Sequence, residues 1–599
     1  MAEDNREKRR WLPKPNLNHK IIIKHLRKAE SATIRHAHQF IVKRWSNVRE
    51  VQNKVVWWLV IMSLLIIATG LQLMWYKQSY LTTTDGIDGT YAGAVLGPIN
   101  TLNPLLASTS AEQSASKLMF SSLMKYDKTG HINNDLVTNI KIDSTHTIYT
   151  VSIRPDVKWH DGISLTTKDI AFTIGLIKDT NTRSTISGWS NILVKVINDA
   201  TIEFTLPSVY AAFEHILTFP IIPEHILGNV EPSKIRENSF SQNPIGSGPF
   251  KLRFVQNVNS NSDRKIIYMA RNDQYYGGTA KLARIQLNAY DSTTEIIKAL
   301  NLNEVNASSD LSPIDIKQID FKKYSVSVKP IQSGVYAIIN TKSPILSDVA
   351  LRRALRLATN TEAIRDKLPE GTPSLDLPFT NNQLTGLVPK APDFNLVEAK
   401  KALDNAGWLL SSSNTRVKDG KVLKISVVTM KSNEFEGVLE TLAGQWRAVG
   451  ITVDTQIADP TDLTQNVAQN ILQPRNFDVL LYRLDIGADP DVYAYWDSTQ
   501  ATPQGLNFSN YSNSVISDYA LESARTRVEP ELRNAKYITF AEQWLSDVPA
   551  IGLYQSTVQY VYGDSVHTID SSSVLISAVD RYSDVLNWST GSRTVYKTP

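Results

Sequence analysis

Cysteine is absent from all 599 residues. That excludes disulfides, a thiolate metal site, a cysteine nucleophile and a lipid carried on an N-terminal cysteine. Catalytic signatures are missing as well. There is no phosphate-binding G-x-x-x-x-G-K-S/T, no dinucleotide G-x-G-x-x-G and no His-Glu-x-x-His. Gly246-Ser247-Gly248 is too short for a G-x-S-x-G nucleophile elbow. His160-Asp161 is no acid/base pair, because neighbours on a strand face opposite ways and Asp161-Gly162 is first of all a turn signal. Glu214-His215 and Glu224-His225 lack a third ligand at helical spacing, so solvated or capping roles are expected of them. We therefore expect no enzyme, no metal and no cofactor. Low-complexity tracts and short repeats are absent too, which leaves an ordinary globular composition, 42% hydrophobic and 20% charged.

Charge is missing from one further stretch. Residues 55–76, VVWWLVIMSLLIIATGLQLMWY, carry none. At 1.5 Å per residue they span a hydrocarbon core of about 30 Å. Trp57 and Trp58 at one end and Trp75 and Tyr76 at the other match interfacial aromatic belts. Residues 1–54 hold 14 Lys/Arg against 5 Asp/Glu, and the rest of the chain 49 against 54. Positive charge beside the span predicts a cytoplasmic tail (1–54), one transmembrane helix (55–76) and an extracellular body beyond it. The basic region is too long for the n-region of a cleaved signal peptide. Residues 17–54 place apolar side chains near helical spacing among Lys and Arg, the pattern either of a helix lying on an anionic leaflet or of a plain charged flank. Residues 77–88 read as a polar tether. The slightly acidic body has no basic stripe, so nucleic acid is not an expected partner.

Beyond residue 89, strand-like runs (TIYTVSIR, KVLKISVV) alternate with helical ones (KDIAFTIGLI), which predicts an α/β body. Several segments fall in a fixed order. They are Thr101-Leu102-Asn103-Pro104; Arg154-Pro155-Asp156-Val157-Lys158-Trp159-His160-Asp161-Gly162 with Thr166 to Ile170; Ile222-Pro223-Glu224-His225; and Pro244-Ile245-Gly246-Ser247-Gly248-Pro249-Phe250. Then come Asn340-Thr341, Leu351-Arg352-Arg353-Ala354-Leu355, Ala399 to Trp408, Asp489-Pro490-Asp491 and Asp547-Val548-Pro549-Ala550. Together they resemble the large extracellular solute-binding proteins of peptide ABC transporters, the oligopeptide/dipeptide-binding type, over roughly residues 90–560. Thr167-Lys168 and Asn303-Glu304-Val305-Asn306 depart from the usual pattern.

The resemblance implies a two-lobed periplasmic-binding-protein-like fold of the large, three-domain kind. One lobe would comprise 89–116, 240–335 and 558–599, an extra β-rich domain 117–239, and the second lobe 336–557. It implies a peptide ligand, permease subunits as partners and a monomer. A sensor or adaptor without a transporter, or a non-peptide ligand, is the alternative. In peptide-binding members an Asp four residues before a Pro holds the ligand amine; here Asp485 stands five before Pro490, with Asp489 as second choice. Ser108, Thr109 and Ser110 fall where the first lobe meets peptide backbone. Tyr482 and Trp496 are candidate pocket walls, and Gly246 and Gly248 the expected hinge between lobes.

Overall fold

The structure, a computed structural model, describes residue 31 and residues 48–258, 264–460, 462, 464–569 and 572–596. It divides into two compact units, one of residues 85–592 and one of residues 1–84 with 593–599. In the latter, Val48–Tyr80 is one helix of 33 residues, about 50 Å long. Its stretch Val51–Gln78 is long and apolar enough to cross a membrane, and residues 51–78 are exposed throughout. The helix overruns the expected span at both ends. Within the expected tether, residues 77–88, the helix runs to Tyr80 and strand Leu81–Asp85 follows, which forms a two-stranded sheet with Ser592–Tyr596. Apart from Ser31 and residues 48–54, the basic segment 17–54 lies outside the described residues.

The larger unit is organised by a ten-stranded mixed sheet. Its order is Thr452–Ala458, Lys424–Met430, Val479–Asp485, Tyr324–Ile339, Ala550–Gly563, Ala307–Ser308, Thr90–Leu96, Arg284–Tyr290, Lys265–Arg271, Phe250–Asn257. The two central strands are long. The second half of Tyr324–Ile339 pairs with Val479–Asp485, and the end of Ala550–Gly563 pairs with Ala307–Ser308. These two strands therefore carry the chain from one half of the sheet to the other and back, which makes the molecule two-lobed. Their mutual ladder breaks between Pro330 and Gly334, opposite Thr557 and Gln555. Proline cannot donate to a ladder, so it belongs at such an interruption.

In the second lobe the strands are apolar on both faces because helices cover both. Successive side chains of a strand point to opposite faces. Val335, Ala337, Ile339, Leu481 and Ile551 enter one core with Leu351, Leu355, Leu403 and Leu442 from helices Val349–Leu357, Leu396–Asn405 and Asn433–Arg447. Tyr336, Ile338, Leu480 and Leu484 enter the other with Leu521, Tyr537 and Phe540 from helices Ser517–Thr526 and Pro530–Asp547. Burying each such side chain is worth roughly 1.5–3 kcal/mol. The first lobe's core is continuous with that of a four-stranded antiparallel sheet, ordered Val137–Ile142, Ile148–Ile153, Thr201–Thr205, Leu193–Asn198, which is covered by helix Thr167–Lys178. Thr166 caps that helix and Asp169 returns the bond to the Thr166 N–H, a capping box.

Gly246 and Gly248, the expected hinge, have a packing role in the structure. They lie in the first lobe, away from the two crossing strands, and neither is among the positive-φ glycines. What they satisfy is close approach. A Cβ on either would overlap backbone atoms of Met119, and the Gly248 N–H donates to the Met119 carbonyl at 2.8 Å. His160 staples the same loop: its Nδ1 accepts from the Gly246 N–H at 3.2 Å, and its Nε2 donates to the Gly248 carbonyl at 3.0 Å.

Candidate ligand-binding cleft

The small sheet's domain and the second lobe meet through a charged and aromatic cluster. The Ala211 N–H donates to the Arg525 carbonyl at 2.9 Å. The Arg525 guanidinium lies over Tyr210 at 4.8 Å and Tyr493 at 4.5 Å, and its Nε is 3.1 Å from Asp491 Oδ2. Nearby, Tyr126 Oη and His215 Nδ1 are hydrogen-bonded at 3.0 Å, and His215 Nε2 is 3.9 Å from Asp489 Oδ2. Arg533 grips both Asp489 oxygens at 2.5 Å each. Burial pushes the Tyr126 hydroxyl well up, helped by the charges of Asp580 and Asp489. Burial also lowers the His215 pKa, against the pull of Asp489.

Two cavities flank this contact. One of about 720 Å³ is lined from the small domain by Ser190, Asn191 and Tyr210 and from the second lobe by Tyr493, Gln500 and Glu522. The other, of about 380 Å³, is lined by Lys117, Ser121, Ser122, Tyr126, Ser577 and Asp580, with Lys117 Nζ 2.9 Å from Asp580 Oδ1. Cavities of this size hold small ligands, and hydroxyl-rich walls suit a polar chain with its water.

The residues singled out from sequence are not all brought to this region. Asp485 ends strand Val479–Asp485 opposite Ser333, beside the break in the long strands. Its side chain is 75% exposed and, among the described residues, meets only Arg483 Nε, at 3.5 Å, so its oxygens are open to solvent. Tyr482 is half-buried, edge-on to Phe508 at 5.5 Å, and burial with the Asp485 charge raises its pKa. Asp489 is locked in its pair with Arg533, which leaves little of it for a ligand amine. Trp496 is a core residue rather than a pocket wall: it is 1% exposed, T-shaped against Tyr336 at 6.2 Å and Trp544 at 5.5 Å.

Ser108, Thr109 and Ser110 also do structural work. Thr109 caps helix Ser110–Met119 in a capping box. The N–H groups of Ser108 and Thr109 are taken by the Glu112 carboxylate, which also accepts from those of Asn100 and Thr101. Ser110 Oγ donates to Asp310. The backbone donors that a peptide strand needs are thus already used at Ser108 and Thr109. Sequence reasoning missed Arg525, Arg533, Lys117 and Asp580. It noted Glu214-His215 only as a poor metal motif, and no local spacing links these residues to Asp489-Pro490-Asp491.

Two lobes joined by a pair of crossing strands, with one cavity lined from both sides of a contact that spans them, form the architecture of a solute-binding protein. Residues 131–505 match the model for bacterial extracellular solute-binding proteins, family 5, and the chain belongs to that family, whose members bind solutes for ABC transporters and are not enzymes. It is 25% identical over 474 residues to the oligopeptide-binding protein AppA of Bacillus subtilis, covering 77% of this chain and 84% of that one. The structure of AppA in complex with a nonapeptide superposes with a TM-score of 0.69 at 22% identity, over 85% of this chain and all of the other. NikZ of Campylobacter jejuni, in complex with Ni(L-His), superposes with a TM-score of 0.71 at 22% identity, over 84% of this chain and all of the other.

Proposed function

We propose that the protein is a membrane-anchored extracellular receptor that holds a peptide between its lobes and delivers it, as a monomer, to an ABC permease. In this reading residues 89–116, 240–335 and 558–599 form one lobe, 117–239 the extra domain and 336–557 the other lobe. Residues 55–76 lie in the membrane with the tail 1–54 inside the cell. The observation that carries the peptide assignment is Asp485, an under-committed carboxylate at the end of a strand beside the crossing point. A peptide amine entering the cleft needs such a partner, since an unpaired buried charge is very costly. Tyr482, two residues earlier on the strand, supplies an aromatic wall.

The test is calorimetry on the full-length chain in non-ionic detergent, after native mass spectrometry has identified any co-purified ligand. Asp485→Asn keeps shape and removes charge. Breaking a desolvated charge pair costs about 2–5 kcal/mol, so affinity for free-amine peptides should fall roughly 30- to 4000-fold. N-acetylated peptides should bind weakly to the parent protein and lose little more in the variant. Equal affinity of parent and variant for free-amine peptides would refute the assignment. Recovery of a nickel chelate in place of peptide would do so too, and would move the protein toward the nickel-binding branch of its relatives, of which the nickel-binding periplasmic protein of Escherichia coli is one, at 23% identity over 382 residues.

A further inference from the structure

Five arginines among the described residues are buried: Arg352, Arg356, Arg416, Arg475 and Arg581. Four are tightly held. Arg352 donates to the Asp547 carbonyl at 2.8 Å, Arg416 to the Val449 carbonyl at 2.6 Å, Arg475 to the Thr502 carbonyl at 2.7 Å, and Arg581 to Ser114 Oγ at 2.9 Å. Arg356 is the exception. Its contacts are the Thr359 carbonyl at 3.5 Å and Asp376 Oδ1 at 3.7 Å. A buried guanidinium with five donors and no short bond is unstable by itself, because the lost hydration is not replaced. Burial accordingly lowers its pKa despite Asp376 and Asp393.

Arg356 lines a cavity of about 450 Å³ on the second lobe, between helix Val349–Leu357, the segment 389–392 and the end of helix Pro530–Asp547. Arg353 lies on the same wall, steadied by Nε on the Ser546 carbonyl at 2.9 Å with donors to spare. Lys390 is exposed and, among the described residues, has no partner. Glu542 is the one carboxylate in the lining, so the balance is positive. Leu357, Leu545, Val548 and two prolines make the rest apolar. A narrow inner space shares Arg356, Pro392, Leu545 and Val548 with this cavity and is also lined by Asp376 and by Trp544, whose Nε1 has no hydrogen-bond partner among the described residues. None of these residues lines the two cavities at the cleft. Arg533 and Leu545, on one helix, are separated by about 18 Å of helical rise.

We propose that this cavity is a second ligand site, taking a small organic anion whose carboxylate or phosphate sits on Arg356, Arg353 and Lys390 and whose apolar body lies against Leu357, Leu545 and Val548. The site gives the buried guanidinium the short, charge-assisted bonds it lacks. It is independent of what the cleft binds.

Phenyl phosphate is a suitable probe, with benzyl alcohol as its uncharged counterpart, each titrated calorimetrically into the full-length chain in non-ionic detergent. Phenyl phosphate should bind saturably at up to millimolar concentration and benzyl alcohol should not. Arg356→Gln should weaken binding about tenfold or more, as loss of a charged hydrogen bond implies. Because Arg356→Gln risks misfolding, the surface double variant Arg353→Gln/Lys390→Gln is tested beside it and should weaken binding by a similar factor. Asp485→Asn should leave phenyl phosphate binding unchanged. The proposal fails if the probe does not bind, if benzyl alcohol binds as well, if the double variant binds as tightly as the parent, or if Asp485→Asn abolishes binding.

Discussion

Protonating His160 must cost the fold, because both of its ring nitrogens already have fixed partners: Nδ1 accepts from Gly246 and Nε2 donates to Gly248. A proton on Nδ1 would face an N–H. Burial pushes the pKa down to about 4, with Lys251 adding to it and the Gly248 carbonyl and Asp161 opposing. The native ring is therefore neutral, while the unfolded ring takes its proton near pH 6.5. Below 6.5 the unfolded state binds more protons, so stability falls as pH drops from about 6.5 to about 4, by about 3 kcal/mol in all. Urea unfolding at pH 7 and pH 4.5 should show this fall, and His160→Gln should be weaker at pH 7 with a shallower fall. An identical pH slope in the variant would show that His160 is not the group responsible. The sequence displayed both halves of the staple, Trp159-His160-Asp161-Gly162 and Gly246-Ser247-Gly248, and the turn reading of the first holds: the Gly162 N–H closes on the Trp159 carbonyl. That the two touch is a tertiary fact with no local signal. The same is true of Asp489, whose Asp-Pro setting was visible and whose Arg533 partner, far along the chain, was not.

At the scale of elements, local chemistry made most of the structure readable. TIYTVSIR holds strand Ile148–Ile153, KDIAFTIGLI lies in helix Thr167–Lys178, and Gly407, at φ +85°, ends the turn after Leu396–Asn405 as a glycine should. For the glycines of Gly246-Ser247-Gly248 the sequence does not separate freedom from smallness, two different uses of the same residue. Only the packed structure shows Met119 occupying the Cβ positions. Gly246→Ala should therefore act on stability. Forcing a methyl against backbone costs about 1–3 kcal/mol, seen as a lower urea midpoint with an unchanged slope. Ligand-induced compaction, measured by small-angle X-ray scattering on the folded variant, should match the parent. A smaller compaction at unchanged stability would place the hinge at these glycines and not at the crossing strands near Pro330–Gly334.

For the whole molecule, the decisive feature is helix Val48–Tyr80, whose residues 51–78 are exposed while carrying Trp57, Trp58, Leu64, Ile66 and Trp75. A face this apolar on every side has no stable place in water, and its length suits a bilayer. The proposed orientation rests on charge: with 14 Lys/Arg in residues 1–54, the tail is expected on the cytoplasmic side. The absence of cysteine makes this directly measurable, since any single introduced cysteine is the only thiol in the chain. Val515, 82% exposed on the larger unit, is a suitable outer site, and Ala2 a suitable inner one. In intact cells stripped of any outer envelope, a membrane-impermeant maleimide should label Val515→Cys and reach Ala2→Cys only after lysis. Both labelled chains should run at the full 67.0 kDa. Labelling of Ala2→Cys in intact cells would reverse the topology. A Val515→Cys product shortened by the tail and span would mean that the helix is removed after export and the receptor is held at the membrane by nothing in residues 55–76.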